Sequence, residues 1–364
     1  MNLKQINKRL FISVGVVVII VIIIIIVMMV MGGSTKLSYE RIEDKLKSGA
    51  VSYYGDHSEL LPNTNGQKVS VSAFELEQGN YISSLQKMVK GDAICSGKVD
   101  VTKNGDNYLY STYLNCGNDY NSVELYSAIA SESNVVTTGN GLYKINDEFV
   151  FRGEDVNNYV KFGSKVWRII KIDKTNNIKL IGDENITQSQ AWDDRYNIER
   201  KNNSGINDYK VSRVKDYLIA MFNDDKYLSD ADRANIAYKD ACIGKRNTMS
   251  VINNNSVECT TVFESQPISL LQVNEYLNAS LDVNCKKTED TQCQNYNYLS
   301  DYSRSWWSLT GDSSNTHKVY KLSSAGVVLS TASSKAVVRP VIYLSDAIMF
   351  TGGDGTISNP YIVK

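Results

Sequence analysis

Six cysteines are the first residues whose chemistry stands out: Cys95, Cys116, Cys242, Cys259, Cys285 and Cys293. They fall into three close pairs along the chain, and short loops cost the least entropy to close. The expected disulfides are therefore Cys95–Cys116, Cys242–Cys259 and Cys285–Cys293. Zinc is the competing use of cysteine, but no C-x-x-C spacing occurs and the chain has only two histidines, His57 and His317, which argues against it. Nucleophilic catalysis needs Ser or Cys beside an oriented His. No G-x-S-x-G occurs, and His317 closes a polar loop, Gly311-Asp-Ser-Ser-Asn-Thr-His317, where an exposed ring is expected. Asp193, Asp194, Asp224 and Asp225 could furnish the two carboxylates of a glycosidase, although any acidic surface offers as many. Asp230-x-Asp232 begins like a calcium loop, but Ala234 and Asn235 stand where a ligand and a glycine are required. Asp354, in Gly352-Gly-Asp-Gly-Thr356, is the candidate metal ligand, with calcium as the cation; the same run also reads as a turn. The 23 tyrosines and four tryptophans point to binding, because aromatic faces stack on sugars and give rigid contact area. Tyr296, Tyr298, Tyr302, Trp306 and Trp307 are the candidate ligand-binding set. Strand alternation puts Trp306 and Trp307 on opposite faces, so one fills the core and the other packs beneath a loop.

These residues need elements to carry them. The 364-residue chain is 42% apolar and 22% charged, with 39 Lys and Arg against 40 Asp and Glu, which excludes a disordered polymer and a polybasic nucleic-acid binder. Residues 10–31 hold no charge and are dominated by Ile and Val, long enough as a helix to span a bilayer. Lys4, Lys8 and Arg9 precede that run, so the expected topology is an N-terminus (1–9) in the cytoplasm, a transmembrane helix (10–31) as the membrane contact, and an extracytoplasmic remainder. Past the anchor, 37–54 reads as a helix with Leu37, Ile42, Leu46 and Val51 at helical spacing. A strand over 69–74 and a short helix over 81–88 follow. A hairpin with its turn at Asn104-Gly105 then completes a proximal domain, 32–121. Residues 122–140, rich in Ser, Thr and Asn, read as a linker to a distal domain, 141–364. There, Val166–Ile172 and Ile178–Ile181 form a hairpin around Asn176-Asn177. Val211–Phe222 reads as a helix capped by Ser212, and Ile268–Asn278 as a second with Asn274 and Glu275 exposed. Strands at 306–309, 319–322, 326–329 and 337–344 close the chain. The fold class expected is α+β: one transmembrane helix, a small helix-plus-antiparallel-sheet proximal domain and a larger α+β distal domain.

The motifs Tyr159-Val-Lys-Phe-Gly, Trp167-Arg-Ile-Ile, Ser269-Leu-Leu, Trp306-Trp-Ser-Leu, Arg339-Pro-Val-Ile-Tyr-Leu and Gly353-Asp-Gly-Thr-x-x-Asn359-Pro-Tyr together resemble a family of surface domains of gram-positive-type bacteria, with a C-type-lectin-like or sulfatase-modifying-factor-like fold over 141–364. The first part, an apolar run leading into Tyr39-Glu-Arg-Ile-Glu43, looks like a pilin or pseudopilin stalk and head, although no Gly-Phe-type cleavage site precedes the run and no Glu lies inside it. The resemblance implies an extracytoplasmic module and hands over no catalytic residue. The function expected is a non-enzymatic binding or adhesion module of the bacterial cell surface, with a glycan or a host or envelope protein as partner and no nucleic acid. The alternatives are a pseudopilin-like component of a secretion or DNA-uptake apparatus, and an envelope hydrolase.

Overall fold

The computed structural model describes residues 36–182, 189–252 and 257–364. The chain divides into two compact units. The smaller holds the described residues up to Leu61 together with Val69–Asp100 and Thr112–Asn121; the larger holds Pro62–Lys68, Val101–Ser111 and Ser122–Lys364.

The smaller unit opens with α1 (Tyr39–Asp56), whose first turn is capped by the Ser38 hydroxyl accepting from the Arg41 N–H. Ile42, Leu46, Ala50 and Tyr54 recur every fourth residue and form its buried stripe. Next come β1 (Lys68–Ser72), α2 (Ala73–Gln78) and α3 (Leu85–Met88), with a reciprocal Ser72–Glu75 capping box starting α2. The strands β2 (Ser96–Asn104) and β3 (Asn107–Asn115) extend β1 into a sheet of order β1-β2-β3, of which the turn end of the hairpin, Val101–Ser111, is counted with the larger unit. Gly97 packs against α1: a Cβ there would lie 3.1 Å from Leu46 Cδ1 and 3.0 Å from the Tyr113 carbonyl, so a larger residue would need its neighbours to give way slightly. The turn falls one residue later than expected, on Gly105 and Asp106, because Gly105 takes the left-handed φ of 58° and Asn104 stays in the strand.

The larger unit runs through β4 (Val123–Glu124), α4 (Leu125–Ile129), β5 (Gly141–Ile145), β6 (Glu148–Arg152), β7 (Tyr159–Phe162), β8 (Lys165–Ile172), β9 (Ile178–Gly182) and β10 (Gln190–Ala191). It continues with α5 (Arg213–Phe222), α6 (Asp230–Ala234), β11 (Lys239–Cys242), β12 (Val262–Gln266) and α7 (Val273–Ala279). The closing strands are β13 (Trp306–Gly311), β14 (Lys318–Ser323), β15 (Gly326–Thr331), β16 (Lys335–Ala336), β17 (Val341–Leu344), β18 (Met349–Gly352) and β19 (Tyr361–Val363). Its main sheet has the order β17-β9-β8-β7-β19-β18-β4, with β6 also on β8 and β5 on β6. Only the β7–β19 pair is parallel among the pairings described in that sheet. β8 is the hub. Its first half pairs with β7 and its last two residues with β6, and a register break between Ile169 and Lys171 marks the fork.

All three disulfides join the expected partners: Cys95–Cys116 near the open end of the β2–β3 hairpin, Cys242–Cys259 and Cys285–Cys293. They mark the chain as an extracellular or secreted protein, since such bonds persist where thiols oxidise. Ser212 caps α5 by accepting from the Lys215 N–H, and the β8–β9 turn centres on Asn176, both as expected.

Other expectations are corrected. The α+β class with a transmembrane helix does not hold: the structure is sheet-rich and mixed, and no helix among the described residues is long and apolar enough to cross a membrane. α1, at 18 residues, carries Glu40, Arg41, Glu43, Asp44, Lys45 and Lys47. The run 10–31 lies outside the described residues. Residues 122–140 are not a linker, because β4 pairs with β18 and Leu125 and Ile129 are buried in the core of the larger unit. The helix expected over 268–278 is α7 alone; Ile268, Leu270 and Leu271 before it are buried but lie outside any helix. His317 is buried rather than exposed; burial and the neighbouring Arg200 and Lys318 pull its pKa down.

Candidate functional site

The two faces of the β17-β9-β8 region differ in chemistry. On one, Ile172, Ile178 and Leu344 stand in register, as do Ile169, Leu180 and Ile342, and all six are buried. On the other, Tyr343, Lys179, Lys171 and Val150 form a row across four strands. Lys on a covered sheet face is costly unless paired. Here α7 supplies the partner. Lys179 Nζ donates to both Glu275 carboxylate oxygens at 2.5 and 2.7 Å, with only 5% of either side chain exposed. Lys171 Nζ donates to both oxygens of Glu148 at 3.1 Å and lies 3.9 Å from Glu275. Glu275 Oε2 also accepts from the Gln272 N–H at 3.2 Å, so the residue that starts α7 also neutralises the sheet.

A second ion pair stands beside the row. Lys239 of β11 donates to Asp173 Oδ2 at 2.8 Å, while Asp173 Oδ1 ties the β8–β9 turn by accepting from Thr175 and Asn177. The Lys239 and Lys179 ammonium groups lie 5.7 and 5.3 Å from the centre of the Tyr343 ring. Behind α7, Glu258 accepts from Arg246, Thr310 and the Asn274 N–H, anchoring the helix that carries Glu275. Glu258 adjoins Cys259, so the Cys242–Cys259 disulfide ties β11 to the segment that holds α7.

These groups border a cavity of about 690 Å³, within the size range of small-molecule sites. Its wall includes Lys171, Lys179, Lys239, Glu148, Asp173 and Glu275, together with Tyr343, Phe151, Tyr298 and the Cys242–Cys259 bond. Tyr298 is 1% exposed, and its hydroxyl has no hydrogen-bond partner among the described residues. The hydroxyl itself is sealed from the cavity, so this orphan costs stability without offering a ligand a hydrogen bond.

The cluster keeps its charges. Burial would raise the Glu275 carboxyl, but Lys179 and Lys171 outweigh it and hold the group below the ordinary value of 4.5. Burial would lower Lys171, yet Tyr343 and Glu275 leave it above 10.5. Asp173 follows the carboxylate pattern: burial raises it, and bonds from Lys239 and Thr175 bring it below 3.8. Burial pushes the Tyr298 and Tyr343 hydroxyls up, and Tyr343, half-buried, lines the cavity. A carboxylate with a depressed folded value stabilises the fold above its unfolded value and stops doing so as pH falls through the folded one. Urea unfolding should therefore show a stability plateau at neutral pH that falls away below about pH 4.5, with Glu275→Gln giving a shallower acid limb than the wild-type chain. Parallel acid limbs would show that Glu275 is not held ionised by its lysines.

The five aromatic candidates do not share a surface. Tyr298 reaches the cavity, and Arg168 lies between its ring and that of Tyr159 at 4.7 and 4.5 Å. Tyr296 is exposed at 59%. Tyr302 and Trp306 pack on the Arg339 guanidinium at 4.5 and 4.9 Å, and Trp307 donates to the Gln190 carbonyl and lies under Lys321. Both tryptophans are fully buried because β13 is covered on both faces. Asp354 is spent on a turn, its Oδ1 accepting from the N–H and hydroxyl of Thr356. Among the described residues, no group of three or more His, Cys, Asp or Glu side chains is placed to hold a metal. None of the four aspartates considered for glycoside hydrolysis lines the cavity; Asp193 is fully buried and accepts from Arg195 Nε and the Ile206 and Arg213 N–H groups.

Sequence reasoning missed Lys171, Lys179 and Glu275. One signal was present: Lys171 and Arg168 interrupt a strand that is otherwise apolar, where a charge must find a partner. Compared with family models, curated proteins and solved structures, the chain matches none.

Proposed function

We propose that this chain is an extracytoplasmic, non-enzymatic binding module whose larger unit takes part of its ligand into the cavity above the Tyr343–Lys179–Lys171 row. The observation that carries this reading is the cavity whose wall is built from the ion-paired side chains of Glu148, Lys171, Glu275 and Lys179. General acid–base catalysis favours a group that titrates near the working pH. Glu275 is moved down, and Lys171, Tyr298 and Tyr343 are moved up, each away from neutrality. That pattern supports binding over turnover. The disulfides and the resemblance to bacterial surface domains support a role outside the cytoplasm.

The test is retention of the oxidised full-length chain on immobilised glycans and envelope proteins, with the captured ligand analysed afterwards by mass spectrometry. Expected are retention that Glu148→Gln weakens about tenfold, the worth of one charge-assisted hydrogen bond, and recovery of the ligand unchanged. Cleaved or modified ligand would overturn the non-enzymatic reading. Retention indifferent to Glu148→Gln would remove the cavity from it.

A further inference from the structure

We propose that the cavity selects a neutral, hydroxyl-rich ring, an uncharged saccharide unit, and rejects its acidic and basic counterparts. The inference rests on the reading of the cavity as the binding site. Its wall alternates in sign over a few ångströms: Glu148, Lys171, Glu275 and Lys179 follow one another with N–O distances of 3.1, 3.9 and 2.5 Å. An anion drawn to either ammonium would meet Glu275 or Glu148, and a cation drawn to either carboxylate would meet a lysine. In a partly buried setting that like-charge contact is costly, and it works as discrimination against ions of both signs. An apolar ligand fares no better, because it would take the remaining hydration from paired ions and return nothing.

Hydroxyls suit this wall because each donates and accepts. An ammonium has three donors. Lys179 spends two on Glu275 and Lys171 two on Glu148, so each keeps donor capacity, and each carboxylate keeps lone pairs.

Calorimetric titration of the oxidised full-length chain tests this with glucose, galactose, N-acetylglucosamine, cellobiose and lactose, against glucuronate, glucosamine and cyclohexylmethanol. At least one neutral sugar should bind, with glucuronate and glucosamine about tenfold weaker or worse, as one like-charge contact predicts. Glu148→Gln removes one negative charge from the wall, so it should narrow the gap between glucuronate and the neutral sugar roughly 3- to 10-fold. Charged probes binding as tightly as neutral ones, and losing affinity in Glu148→Gln, would overturn the ligand class and leave the cavity reading standing. A gap between glucuronate and the neutral sugar that Glu148→Gln leaves unchanged also overturns the proposal. If no probe of any class binds, the cavity reading falls and the ligand class with it.

Discussion

Lys179→Met should lower the free energy of unfolding by roughly 3–5 kcal/mol, the usual cost of stranding one member of a buried ion pair. The stranded group is Glu275, 6% exposed, whose remaining cation, Lys171, is 3.9 Å away and already bonded to Glu148. Dispersion contacts from a methionine of similar length cannot replace two short charge-assisted bonds. Removing both charges is a different experiment. Lys179→Met with Glu275→Leu leaves Lys171 on Glu148 and should recover most of the loss, because well-packed apolar residues often replace a buried pair at little cost. Urea denaturation of the two single variants and the double variant gives the comparison. A Lys179→Met loss below about 1 kcal/mol would mean that the carboxylate finds other solvation, and the account of the site would fail.

Trp306→Ala and Trp307→Ala should each cost about 3–5 kcal/mol, the range for truncating a large buried aromatic side chain. Alternation along β13 sends the two rings to opposite faces, and an open sheet would let one of them go cheaply. Every residue of β13 is buried, however, and each indole has its own neighbours: Arg339 for Trp306, Lys321 and the Gln190 carbonyl for Trp307. Two large and similar losses in denaturant unfolding are the expected result. One large and one negligible loss would show that a face of that sheet is uncovered.

Much of the local structure was legible. Ser212 announced the start of α5, and Asn176 the turn between β8 and β9, because caps and turns are decided by residues within three or four positions of one another. The β2–β3 hairpin was legible too, but its turn slipped by one residue, since only Gly105 of the pair takes the left-handed conformation. α7 shows where reading by period fails. A seven-residue helix covered on nearly every side has no solvent face to reveal, and Glu275, which looks like a surface residue, is buried by the lysine it meets.

The three disulfide pairings were determined by the sequence itself, because their separations of 21, 17 and 8 residues make local closure the least costly choice. So were the apolar strands and the capped helices, which depend on near neighbours. The site was decided only by the tertiary structure. Lys179 and Glu275 are 96 residues apart, and a charged side chain carries no record of its partner at that distance. Packing α7 onto one face of β8 and β9 turned two isolated lysines and a helix glutamate into a single ion-paired wall, because burial leaves a charge no stable place except beside its opposite.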